Sequence, residues 1–158
     1  YDDPTNYRKY ALASVTTHDL PPTAGYLQFE HVQLRERLHL LTESVESFQA
    51  SATVERQAML DRLRTLGLIS DEEADDADSH IPQIVEAMHA MLRKSPSLLI
   101  QAALVDGVGE RRTQNQPGTS DQYPNWRIPL ADEHGRVVHT DEVFDLPRVK
   151  SLAAIMDA

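Results

Sequence analysis

Apolar positions recur with a helical period through most of this chain and lose that period in two short runs. Residues 23–42 carry Tyr26, Leu27, Phe29, Val32, Leu34, Leu38 and Leu41 in a broad stripe. Arg35, Glu36 and Arg37 fall largely opposite it, and Thr23 stands ready as N-cap. One helix is predicted there. A second, over residues 53–66, buries Ala58, Met59, Leu63 and Leu66 and stops at Gly67, which without a Cβ takes left-handed geometry at little cost. Ser70-Asp71-Glu72-Glu73 reads as a capping box opening the next helical stretch. The clearest periodicity follows: Ile81, Ile84, Val85, Met88, Met91 and Leu92 form one buried face of a helix from Ile81 or Pro82 to Arg93, stopped by Lys94-Ser95-Pro96. Asp145, with Pro147 in the first turn, starts a last helix through Met156.

The aperiodic runs, residues 11–17 and 98–105, are uncharged and rich in small or aliphatic side chains, which predicts strands buried on both faces. Buried strands separated by helices pair in parallel, so the expected fold class is α/β, predominantly helical, with two or few short parallel strands. Two strands cannot cover their own edges, so the remainder of the sheet is expected outside this chain. The opening Tyr1-Asp2-Asp3-Pro4, without an initiator Met, likewise reads as a piece of a longer polypeptide. Asp106-Gly107-Val108-Gly109 and Glu133-His134-Gly135-Arg136 read as turns, and residues 110–125 as a long polar loop. There is no internal repeat.

Charge removes several function classes. The 158 residues carry a formal net charge of -10, which repels phosphate backbones and anionic membrane surfaces; uncharged substrates such as sugars meet no such penalty. The absence of cysteine excludes disulfides and thiolate chemistry and is compatible with a reducing cytoplasm, the expected location. No apolar run is long enough for a membrane span, and no signal-peptide pattern is present. The acids between Asp71 and Asp78 lack the glycine and bidentate glutamate of a calcium loop, and the seven histidines show no metal-ligand spacing. No metal or other cofactor is expected. A helix-turn-helix reading of residues 66–73 fails on its acidic surroundings.

The chemistry concentrates in two places. Val15-Thr16-Thr17-His18-Asp19-Leu20-Pro21-Pro22 puts an imidazole and a carboxylate at the carboxyl end of the first predicted strand, where prolines stop it. In parallel α/β folds that end is where catalytic groups gather. His18 also reads as a buried, satisfied histidine, and Asp19 as a cap for the next helix. Adjacent strand residues point to opposite faces, so joint service to one ligand requires the chain to leave strand geometry there. The second place is residues 114–127, whose Gln and Asn amides both donate and accept and so can read sugar hydroxyls. Trp126, the only tryptophan, either stacks on a pyranose ring or, with Tyr123, anchors the loop to the core.

Ala13-Ser14-Val15-Thr16-Thr17-His18-Asp19-Leu20-Pro21, with Asn115-Gln116-Pro117-Gly118-Thr119 and Tyr123-Pro124-Asn125-Trp126-Arg127 downstream, resembles the 4-alpha-glucanotransferases, the amylomaltases or disproportionating enzymes of glycoside hydrolase family 77. Pro22 stands where that family usually has Thr. The resemblance implies a (β/α)8 TIM barrel, of which residues 1–158 would be a single C-terminal portion carrying the last two strands. It implies transfer of α-1,4-glucan segments between maltodextrins, in glycogen or starch metabolism, by retaining double displacement. Asp19 would stabilise the transition state, with His18 beside it on sugar hydroxyls and Asn115 bordering the sugar site. The nucleophile and acid/base belong to earlier strands of the family's barrel, so the chain alone is expected to be inactive and to self-associate through its open strands. The competing expectation is a non-catalytic, mostly helical interaction domain. A His-Asp pair late in an α-amylase-type barrel is a further reading, which the Asn-Gln-Pro-Gly-Thr loop disfavours.

Overall fold

A computed structural model describes residues 2–157; Tyr1, the first residue of the Tyr1-Asp2-Asp3-Pro4 segment, and Ala158 lie outside the described residues. In chain order these form β1 (Leu12–Ser14), α1 (Thr23–Leu27), α2 (Glu30–Arg37), α3 (Val45–Thr65), α4 (Asp71–Asp75), α5 (Ile81–Arg93), β2 (Leu99–Gln101), α6 (Leu104–Val108) and α7 (Pro147–Asp157). Short 3-10 turns lie at Pro4–Asn6, Ala77–Ser79 and Val143–Asp145. β1 and β2 pair in parallel, with Leu12 opposite Leu99 and Ser14 opposite Gln101. The fold is thus mostly helical around a small parallel sheet. No helix among the described residues is long and apolar enough to cross a membrane.

The core lies where α1, α3 and α5 meet: Leu27, Met59, Leu63, Ile84, Val85, Met88 and Met91 are buried against one another. Each such side chain contributes about 1.5–3 kcal/mol of burial. The α5 face is the one its periodicity predicts. Gly67 closes α3 at φ 68, with Leu68 N–H donating to the Leu63 carbonyl and Gly67 N–H to that of Arg64. The Ser70–Glu73 capping box forms in both directions, although α4 is only one turn long. A smaller cluster of Val108, Val138 and Val143 receives Val149 and Leu146, docking α7.

Three predicted elements differ from those observed. The helix over residues 23–42 is broken into α1 and α2 because Phe29 adopts left-handed geometry (φ 59); its ring there faces the Arg56 guanidinium at 5.2 Å. The apolar period runs across that break unchanged, so the pattern could not reveal it. The helix over residues 53–66 begins eight positions earlier, at Val45, where Ser44 caps it by accepting from Ser47 N–H. Its first two turns offer only Val45, Phe48 and Ala52 at helical spacing among polar and small residues, too thin a stripe to mark the start. The second strand ends at Gln101, and the rest of its run winds into α6, with Gly109 (φ 83) as cap instead of a free turn. Neither strand is buried on both faces: Leu12 is 56% and Leu99 63% exposed.

His31, on α2, is stacked on Tyr26 at 5.5 Å with Phe48 edge-on at 6.1 Å. Burial, with help from nearby Arg35, lowers its pKa from 6.5 to about 4. An unfolded chain protonates this imidazole near its ordinary value while the fold holds it neutral, so its contribution is present above pH 6.5 and is lost as pH falls toward 4. Thermal melts of His31→Gln should therefore lose less stability than the parent between these limits. Parallel curves would disprove it.

Candidate active site

The chain leaves strand geometry after Ser14 and folds into a turn over residues 17–20, closed by Leu20 N–H donating to the Thr17 carbonyl at 3.1 Å. His18 and Asp19 are the central residues of that turn. This removes the strand alternation that would have sent them to opposite faces. Below them, the buried Thr16 hydroxyl donates to the Pro21 carbonyl at 2.8 Å and ties the loop shut. Asp19 does not cap α1, and His18 is not a core histidine. Both side chains are half or more exposed, with His18 Nε2 3.4 Å from Asp19 Oδ2.

The second predicted segment arrives directly over the first. Asn115 Nδ2 donates to Asp19 Oδ1 at 2.6 Å, across 96 positions of sequence. The Trp126 indole lies against the His18 imidazole, ring centroids 5.2 Å apart. Trp126 is 64% exposed and holds left-handed geometry at φ 61, unusual for a bulky residue. The Trp126 backbone N–H donates to the Gln114 carbonyl at 2.9 Å, which closes the loop. The loop is anchored instead by Tyr123, whose hydroxyl donates to the Thr113 carbonyl, and by Asn125, which accepts from Gln116 N–H and donates to Thr119. Of the two roles considered for these aromatics, Tyr123 takes the anchoring one and Trp126 stays at the surface beside His18.

What holds so long a loop in one place is a buried carboxylate that sequence reading passed over. Glu110 is 2% exposed and accepts from Arg111 N–H, Arg112 N–H and Ala131 N–H, and from Arg112 Nε and Nη2 in a fork. Those bonds keep the Arg112 guanidinium charged, above its ordinary pKa. Gly25 completes the seat: a Cβ there would stand 2.2 Å from the Arg111 carbonyl oxygen, so α1 and the loop meet backbone to backbone. Arg111 also reaches Gln28 and Glu30. A glycine and a glutamate at a loop entrance were the available signals, though neither says which distant residue it will meet.

The cluster is therefore a carboxylate, an imidazole, an amide and an indole face on one open surface at the carboxyl end of β1. It can accept and donate hydrogen bonds to hydroxyls and can stabilise developing positive charge through Asp19. Among the described residues, no group of three or more His, Asp or Glu side chains is placed to hold a metal ion.

Fold and site together define an α/β protein that displays polar groups at the carboxyl end of a parallel strand. The family profile described as 4-alpha-glucanotransferase matches residues 1–134, and the chain belongs to that family. It is 47% identical over 152 residues to a 4-alpha-glucanotransferase of Mycobacterium tuberculosis, covering 96% of this chain and 20% of that protein. It is 27% identical over 130 residues to one from Haemophilus influenzae, covering 80% and 19% respectively. Among solved structures it resembles the amylomaltase of Corynebacterium glutamicum, with a TM-score of 0.89 and 39% identity over 97% of this chain and 22% of that one. The chain thus spans about a fifth of the length of the relatives it matches.

Proposed function

We propose that these residues are the closing portion of a (β/α)8 barrel that transfers α-1,4-glucan segments between maltodextrins by retaining double displacement. The observation that carries this reading is the convergence of His18, Asp19 and Asn115 on one surface from positions nearly a hundred residues apart. In that role Asp19 steadies the oxocarbenium-like transition state, His18 and Asn115 hold ring hydroxyls, and Trp126 offers an apolar face to a sugar ring. The nucleophile and acid/base are supplied by parts of the polypeptide outside these residues. The exposed Leu12, Leu98 and Leu99 support the same picture, since they are apolar positions in or directly beside the strands that this chain leaves open to solvent. The lack of cysteine and the family's glucan substrates support a cytoplasmic setting in glycogen or starch metabolism.

The full-length protein should release glucose from maltotriose as it lengthens other chains, with retention at the anomeric carbon. The 158-residue chain alone should release none, and by light scattering should form dimers or larger species through its uncovered strands. Failure of the full-length protein to disproportionate maltotriose overturns the function. Glucose from the short chain, or a monomer with a cooperative melt, overturns the division of labour.

A further inference from the structure

Beneath the site turn lies a buried trio that none of the chemistry above uses. Asp106 and His89 are shut off from solvent, on α6 and α5. Asp106 Oδ1 accepts from the Thr23 N–H at 2.7 Å, and Oδ2 from the Thr23 hydroxyl at 2.8 Å. Thr23 is the first residue of α1, follows the Pro21-Pro22 pair directly, and receives no cap from its own neighbours. On the other side, His89 Nδ1 faces the Val85 carbonyl at 2.8 Å; a carbonyl can only accept, so Nδ1 bears hydrogen. Nε2 then points at Asp106 Oδ2, 3.5 Å away, with no hydrogen-bond partner of its own.

We infer that Asp106 is a positioning residue for the sugar site: it grips Thr23 at the foot of the His18–Asp19 turn, with the buried His89 ring shutting solvent out from behind. The turn is then held at both ends. Thr16 closes it onto Pro21, and one residue past Pro22 Asp106 fastens the chain to α6, which leads directly into the loop carrying Asn115 and Trp126. One carboxylate therefore sets the spacing between the two halves of the site. Burial pushes the Asp106 carboxyl above the usual range, with Thr23, His89 and Arg148 pulling it back. A carboxyl kept in so unfavourable a place is more than filler, since Asn or Ser would satisfy a helix start more easily. The inference rests on the reading of His18 and Asp19 as a sugar site.

The single tryptophan gives a test independent of that chemistry, because Trp126 lies against His18. In the 158-residue chain, Asp106→Ala should shift Trp126 emission in the same direction as His18→Ala. Met91→Ala, which removes core volume but no hydrogen bond, should lower the melting temperature and leave the emission alone. In the full-length protein Asp106→Ala should lower kcat on maltotriose about 10²-fold, the effect of misplacing a reacting group by about 1 Å, with KM within twofold. Asp106→Asn, whose amide oxygen still accepts from Thr23 N–H, should recover most of both signals. If Asp106→Ala behaves as Met91→Ala does, with lower stability but unchanged emission and kcat, the inference is wrong. If the full-length protein has no transferase activity while the emission shift stands, the sugar-site reading falls and the positioning role survives.

Discussion

Asp19→Asn in the full-length protein should lower the rate of maltotriose disproportionation by about 10²–10³-fold, the effect of removing one preorganised group from a developing charge. The substitution keeps shape and one acceptor: the new amide oxygen can still receive Asn115 Nδ2, which donates to Oδ1 in the parent. What disappears is negative charge, needed most when the sugar ring becomes cationic. The loss should therefore fall on kcat with KM little changed, as for an interaction formed mainly in the transition state. The fold should be indifferent, since Asp19 is half exposed and caps no helix. A kcat within threefold of the parent at an unchanged melting temperature would remove Asp19 from the chemistry. A melting temperature many degrees lower would instead make it structural.

Glu110→Ala should produce the largest loss of stability. Removing a buried acceptor costs about 1–3 kcal/mol for each buried donor it leaves unsatisfied, so about 3–5 kcal/mol for several at once. Here Arg112 and three backbone N–H groups, of Arg111, Arg112 and Ala131, lose their acceptor together. For a chain of this size such a loss corresponds to a fall in melting temperature of roughly 10–15 °C. Glu110→Gln should fall between, keeping one oxygen but turning its NH2 toward the guanidinium. Circular-dichroism melts of the three proteins decide the matter: a fall of less than about 2 °C for Glu110→Ala would show that the loop is held by something else. Because this loop carries Asn115 and Trp126, the Trp126 emission should change with the same substitution.

These two residues mark what sequence could and could not disclose. The place of Asp19, in a turn just past the first strand, was legible because its neighbours are informative: prolines stop a strand there. Helix α5 was legible because its period-3.6 face is the face it buries. Gly67 and the Ser70 capping box were legible because they are local hydrogen-bond devices. Glu110 and Asp106 were not, because an acid beside a glycine reads as a polar turn until the distant donors that bury it are known. The αL kink at Phe29 was hidden for a related reason: its Arg56 partner lies on another helix. The strands were overestimated in length and burial. An apolar run records the environment a segment is suited to, whereas here Leu12 and Leu99 face solvent.

The 96 positions between Asp19 and Asn115 have a consequence for how the molecule comes to be. Helices α3 and α5 close over neighbours a few residues away and can form early, in microseconds. Joining the two halves of the site requires a large loop to be closed first, an entropic cost that local contacts do not offset. A chain midway through folding can therefore show nearly all of its helical signal and have no place for a sugar. In a refolding experiment the ellipticity should recover in a fast phase, and the Trp126 signal should follow in a slower one that reports assembly of the site itself.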